Sequence, residues 1–160
     1  MSENRFREMR RKNRQMSDEQ AIEVLRTQKW GVLSVNGDEG YPYGVPINYG
    51  YMDGKIYIHS TSKESHKIDA IRNNAKVCLT VVEKEDLIIE KLTTHYRSVI
   101  VFGTARIIDD EEEKVVAIGK MMRGIIPEHK GNGMEHCASV PSDFTMIEIV
   151  PEHVTGKGNV

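Results

Sequence analysis

Between Tyr57 and Lys67 the chain reads YIHSTSKESHK. The stretch holds the hydroxyls of Ser60, Thr61, Ser62 and Ser65, the imidazoles of His59 and His66, and the ammoniums of Lys63 and Lys67. It opens like a strand and closes like a helix. Thr61 and Glu64 are spaced as a capping box, which predicts a helix beginning at Ser62. The first N–H groups of a helix lack partners and carry partial positive charge. Hydroxyls and ammoniums gathered there make a cradle for a phosphate group. The same residues also make an ordinary cap with solvated lysines, and composition leaves both readings standing. The stretch is neither a Walker loop nor GxGxxG, so it specifies no nucleotide.

Other reactive side chains are more scattered. His59 stands where the strand ends, either as a donor or proton source at a site or as a histidine satisfied by a backbone carbonyl. His129, His136, Cys137 and His153 match no zinc spacing, so no metal site is expected. Cys137 follows His136, but adjacency in sequence is not the arrangement a nucleophile and its base require. Lys157, in the closing TGK, is either a solvated lysine or a charge reaching a bound phosphate.

The elements that must position these residues read as mainly β. Ser17 and Gln20 form a capping box, and Ala21, Ile22, Val24 and Leu25 give the helix an apolar stripe to about Gln28. GVLSV (31–35) is a strand, followed by a turn at Asn36-Gly37-Asp38. YGVPINYGY (43–51) alternates: Tyr43, Val45, Ile47, Tyr49 and Tyr51 form a large face, and Gly44, Pro46, Asn48 and Gly50 a small one open to a flat ligand. Pro46 has no N–H, so this strand lies at an edge or against a ligand. Asp53-Gly54 predicts a hairpin turn into KIYIHS (55–60).

A short helix with Ile68 and Ile71 comes next. KVCLTVV (76–82) reads as a strand buried on both faces, with Cys78 inside it. Residues 83–95 read as a connection, and YRSVIVFGTARII (96–108) as a strand with a bulge at Gly103. Asp110 and Glu113 start a helix with Val115, Ile118, Met122 and Ile125 at helical spacing. Residues 127–141 read as a loop, FTMIEIV (144–150) as the last strand, and EHVTGKGNV as a tail. About six strands, joined by hairpins rather than alternating with helices, predict a small antiparallel barrel with helices packed outside.

Composition bounds the partners. The chain has 160 residues, 39% hydrophobic and 29% charged, with net charge −2. That fits one soluble domain, expected at 17–160, preceded by a basic arm at 1–16. The arm's RFREMRRKNR reads as a solvated arm or one packed on a partner subunit. Only Phe6 interleaves with its cations, which argues against nucleic acid. No membrane span or signal peptide is expected, and the two cysteines form no CxxC pair. These features suggest a reduced, cytoplasmic protein.

YIHSTSKESHK resembles the strand–loop–helix phosphate site of the pyridoxamine 5′-phosphate oxidase-like, FMN-binding split β-barrel proteins. GYPYGVPINYGYMDGKIYIHS, YRSVIVFGTARI and VTGK resemble their nitroimidazole-resistance (Nim-type) subgroup. The resemblance runs from about Phe6 to Lys157. It implies a six-stranded antiparallel split β-barrel with packed helices, forming a homodimer with FMN in the subunit interface. Ser65, His66 and Lys67 match a Ser-Arg-Lys phosphate clamp, with His66 in place of arginine, and Thr61 matches a threonine. His66 lacks the fixed fork of arginine, and its charge depends on pH. Pro46, Ile47 and Asn48 match the strand beside the flavin ring. Ser98 and Val99 match positions approaching the flavin from the partner subunit. His59 matches a histidine near the flavin, and Ser60 and Lys157 adjoin the same site. The C-terminal arginine–histidine pair that pyridoxamine oxidases use for their substrate is missing, which argues against pyridoxamine oxidation.

The expected activity is an FMN-dependent oxidoreductase. It would pass electrons from a reduced nicotinamide or another donor to a small acceptor such as a nitroaromatic compound, with His59 as the catalytic proton source. The alternative is a flavin- or haem-binding protein without turnover, with His59, His66 or His136 as axial ligand.

Overall fold

The computed structural model describes residues 5–61, 64–128 and 144–159, apart from the side chain of Lys84. After a 3-10 turn at Lys12–Arg14 come α1 (Asp18–Thr27), β1 (Trp30–Asn36), β2 (Pro42–Asn48), β3 (Gly50–Met52) and β4 (Lys55–Ser60). Then follow α2 (His66–Asn73), β5 (Lys76–Ile88), β6 (Thr93–Ile108), α3 (Glu111–Ile125) and β7 (Thr145–Asn159). Among the described residues no helix is long and apolar enough to cross a membrane.

One antiparallel sheet takes the order β2-β1-β5-β6-β7-β4-β3. Its two ends, β2 and β3, are consecutive in sequence, with Tyr49 alone between them. In a flat sheet those ends would lie six spacings apart, roughly 29 Å. The chain allows Asn48 and Gly50 at most about 7 Å. The sheet therefore curls into a barrel whose seam is closed by the chain itself, which is the small antiparallel barrel that the sequence pattern predicts. The single strand expected at 43–51 is divided by this bend into β2 and β3, so the sheet has seven strands where six are expected.

Tyr49 is fully buried at the seam. Its N–H donates to the Lys29 carbonyl at 3.1 Å and its hydroxyl to the Leu25 carbonyl at 2.9 Å. Burial pushes its hydroxyl pKa well up. It thus ties the seam to α1, whose Ser17–Gln20 capping box is present and whose Ala21, Val24 and Leu25 enter the core. Leu33, Ile56, Ile58, Leu79, Val81, Val99, Val101 and Ile147 fill the rest of the barrel. A second cluster, with Tyr57, Ile108, Ala117, Ile118, Met121 and Met146, packs α3 on the outside of β4 and β7. A Cβ on Gly50 would meet the Met121 carbonyl oxygen at 2.2 Å, so α3 lies directly on the β3 backbone.

Several boundaries differ from expectation. β7 runs to Asn159, so the expected tail is a strand paired with β6. Pro151 and the glycines at 156 and 158 mask it in the sequence, and the register shift beside Gly103 is the bulge that accommodates it. β5 and β6 extend into residues 83–95 as a ribbon rather than a loose connection. β5 is buried on one face only: Val77, Leu79 and Val81 point inward, while Cys78 and Thr80 are half-exposed and Val82 exposed. The α3 stripe falls on Lys114, Ala117, Ile118, Met121 and Gly124, with Val115, Met122 and Ile125 at its margins. The expected loop at 127–141 lies almost wholly outside the described residues.

Tyr49→Phe deletes one buried hydrogen bond and leaves the Leu25 carbonyl unpaired, at a cost of about 1–2 kcal/mol. A thermal melt should show a fall of roughly 2–8 °C. An unchanged melt would show that the seam does not depend on this bond.

Candidate functional site

The start of α2 differs from the sequence expectation. The helix begins at His66, and Ser65 caps it, its Oγ accepting from the Ile68 N–H at 3.4 Å. The Asp69 N–H bonds the Ser65 carbonyl at 2.9 Å. This leaves the His66 and Lys67 N–H groups of the first turn without described partners. Thr61 is an exposed residue in the preceding bend and does not cap; Ser62 and Lys63 lie outside the described residues. Glu64 stands beside the cap, exposed. Ser60 is buried, paired in register with Thr145 on the barrel side of β4.

His59 lies on the other face of β4, with Tyr57, against the α3 layer. Its ring meets Phe144 at 5.7 Å between centroids. Nε2 of His59 is buried with no hydrogen-bond partner among the described residues. Burial, and then the positive charge of Lys67, lower the His59 pKa. Lys67 is half-buried, and burial lowers its pKa as well. No carboxylate pairs with it among the described residues. A half-buried ammonium, an unpaired imidazole nitrogen and two helix N–H groups together make a site short of negative charge. An anion is what it lacks.

His66 does not face this gap. Its ring stacks on Tyr43 of β2 at 4.1 Å, and its Nε2 accepts from the Asp38 N–H at 3.3 Å. The stack bridges the barrel seam and brings β2 to the start of α2. Sequence reasoning placed Tyr43 only on the core face and did not anticipate this contact. It also missed Phe144, which Lys114 holds in place: the buried Lys114 ammonium donates to the Phe144 carbonyl at 3.2 Å and lies 5.0 Å from its ring centre.

The remaining expected residues lie on the outer face of the sheet or behind it. On β2, Pro46 and Asn48 point outward and are exposed, while Ile47 packs against the core. β2 is an edge strand, as the missing N–H of Pro46 requires. Ser98 and Lys157 pair in register on β6 and β7, with the Lys157 ammonium 5.4 Å from the Tyr96 ring centre. Val99 is fully buried in the barrel, so its side chain is core and only its backbone could approach a ligand. Pro46 and the β6 face are three strand spacings apart, roughly 14 Å along the sheet. One chain therefore does not bring Pro46 and Ser98 to the same edge of a small ligand. His153 stacks on Phe6 at 4.7 Å; His129, His136 and Cys137 lie outside the described residues.

A model of the pyridoxamine 5′-phosphate oxidase family matches residues 17–158, nearly the whole barrel. The chain belongs to this family. Among curated proteins, none matches the sequence. Solved structures share the fold. One is a protein from Bacteroides thetaiotaomicron assigned to 5-nitroimidazole antibiotic resistance (24% identity, 89% of this chain and 85% of that one, TM-score 0.71). Another is an FAD-binding protein from Mesorhizobium loti (22% identity, 92% and 98%, TM-score 0.68). A third is an FAD- and haem-binding protein from Mycobacterium smegmatis (19% identity, 91% and 73%, TM-score 0.71). The family and the split barrel are those that the sequence resemblance implies.

The lowered His59 pKa has a defined consequence for stability. The unfolded chain takes up the proton near the ordinary value of 6.5, and the folded chain only at lower pH. His59 thus adds no pH dependence well above 6.5, and stability falls as pH drops through its folded pKa. Nuclear magnetic resonance should place the His59 midpoint below 6.5, and Lys67→Met should raise it. A midpoint at or above 6.5 in the unliganded chain would contradict the site as described.

Proposed function

We propose that this chain is a cytoplasmic, FMN-binding oxidoreductase. It passes electrons from a reduced nicotinamide or another donor to a small acceptor, with a nitroaromatic compound as one candidate. The carrying observation is the half-buried Lys67 ammonium at the start of α2, with no anionic partner among the described residues, near the His59 Nε2 of β4, which has no hydrogen-bond partner among them either. A phosphate monoester supplies the missing charge and several acceptor oxygens. Lys67 and the N–H groups of His66 and Lys67 would hold it. His59 would donate from Nε2, or keep a proton there for an acceptor. Ser65 fixes the helix end, and His66, stacked on Tyr43, sets the neighbouring wall. Pro46, Ile47 and Asn48 would offer the flat ring system a low-profile strand, Gly44 beside them adding no bulk.

When bound, a flavin supplies electron transfer that no side chain here can perform. The family membership and the FAD-binding neighbour support a flavin; the preference for FMN rests on the few donors, Lys67 and the first N–H groups of α2, that the site offers a phosphate. Ser98 and Lys157, too distant from Pro46 within one chain, would complete the site from a second copy. The proposal therefore includes a homodimer with the flavin between subunits.

A second reading is a binding protein without turnover, for flavin or haem. The buried His59 Nε2, without a hydrogen-bond partner among the described residues, favours it, because such a nitrogen is available as an axial ligand.

Titrating the protein with FMN and with riboflavin, which lacks the phosphate, separates the cradle from the ring site. FMN should bind at least about tenfold more tightly, and Lys67→Ala should remove most of that difference while leaving the thermal melt nearly unchanged. A Lys67→Ala chain that keeps the preference would overturn the cradle. Anaerobic addition of reduced nicotinamide should then bleach the bound flavin; a flavin that stays oxidised with nicotinamides and artificial donors alike would favour the binding protein.

A further inference from the structure

We infer that the basic arm belongs to the redox site: Arg7 is a second positive charge beside the flavin ring that favours its reduced form, and Phe6 is the residue that positions it. This rests on the proposed flavin site, in which Ser98 and Lys157 face the ring. The arm, expected to be solvated or packed on a partner subunit, lies instead along the chain's own β7. At one end Gln15 bridges Lys157, and the Met16 N–H bonds the Gly156 carbonyl at 2.9 Å. A Cβ on Gly156 would meet that of Met16 at 3.1 Å, so this glycine makes the seat for the arm. At the other end Arg5 pairs with Glu152. Phe6 stacks there on His153 at 4.7 Å and on Phe102 at 5.7 Å, with ring planes 6° and 16° apart. The arm is thus pinned at both ends.

Between these anchors the arm borders a cavity of about 200 Å³. Arg7 and Met9 line it from the arm, and Ser98, Ile100 and Lys157 from the sheet. Ser98 and Lys157 stand side by side in the β6–β7 register. Among the described residues no carboxylate lines the cavity. The carboxylates on and beside the arm are engaged elsewhere. Glu8 pairs with Lys12 at 2.8 Å, and Glu152 takes Arg5 and the Thr104 hydroxyl. Arg7 and Lys157 therefore bring two positive charges to one small space, with no carboxylate partner among the described residues.

Cations gathered without a counter-ion favour whatever brings negative charge to them. An oxidised flavin ring is neutral. Two electrons and one proton, delivered together as hydride by a reduced nicotinamide, convert it to a ring carrying one negative charge. Arg7 and Lys157 would stabilise that charge and gain little from the oxidised ring. Charge placed near the ring is one of the means by which a protein sets the electronics of such a cofactor. Lys157 is fixed by the sheet, whereas Arg7 is placed by the arm. Phe6 does not line the cavity; it fixes the arm and acts through Arg7. Arg7 is exposed, so its influence weakens as salt rises.

The test uses the full chain loaded with FMN and reads the reduction potential of the bound flavin, by anaerobic dithionite titration against a reference dye. Arg7→Gln should bind oxidised FMN within about threefold of the wild type and favour the reduced form about tenfold less, a fall of about 30 mV for a two-electron couple. That fall should shrink as salt rises. Arg7→Lys keeps the charge and should keep the wild-type potential. Phe6→Ala should lower the potential as Arg7→Gln does, and the double variant should fall no further, because both act through one guanidinium. Thermal melts confirm that the variants fold. A double variant that falls by the sum would overturn the positioning role of Phe6. An Arg7→Gln chain with the wild-type potential, or one that loses oxidised and reduced FMN equally, would overturn the role of Arg7 and leave the flavin site standing. A wild-type chain that retains no FMN would overturn both.

Discussion

The Tyr49 peptide joins the two ends of the sheet, and the rest of the architecture follows from that closure. A seven-stranded ribbon left open would hold β2 and β4 far apart. Closed at Tyr49, it places the inner face of β2 beside the end of β4, so that Tyr43 can stack on His66 across the seam. The hydroxyl of Tyr49 locks the same point to α1. Gly50, the next residue, has no Cβ and lets α3 lie against β3. α3 then carries Lys114, which sets Phe144 against His59. One buried tyrosine thus connects the walls of the site on both sides of β4.

The electrostatics of the site are those of a place prepared for an anion. Removing Lys67 and His59 partly from water penalises their charged forms, and their proximity adds to that penalty for His59. A protein selected for stability alone would place a carboxylate there or expose the lysine. A polar group left buried and unpaired costs free energy, and such costs gather at functional positions. A bound phosphate offsets the penalty at both groups. This is the ground on which we propose the cradle over the plain helix cap, which the sequence alone left equally open.

What was legible in the sequence followed local rules. The Ser17 capping box, the Asp53-Gly54 turn, the alternation of β2 and the edge position imposed by Pro46 all depend on neighbours within a few residues. What was not legible depended on distant partners. Ser65, not Thr61, caps α2, because both are hydroxyl residues and only the described fold selects between them. The strand from Val150 to Asn159 is broken up by proline and glycine, and pairing with β6 and with the Gln15–Met16 segment holds it as a strand. Cys78 sits in an apolar run that looks fully buried, yet its face of β5 turns outward. Val99 carries a motif resemblance but points into the core. Ser98 and Lys157 are read together from motif resemblance, and the β6–β7 register puts them side by side on a face far from β2.

The outer sheet face exposes Ile100 and Phe102, with the basic arm lying along it. The most direct measurement of the central claim is the visible absorption spectrum of the purified chain after loading with FMN and removal of the excess. The account predicts a retained flavin spectrum in stoichiometric amount. A chain that returns colourless after loading, while still folded, would contradict it.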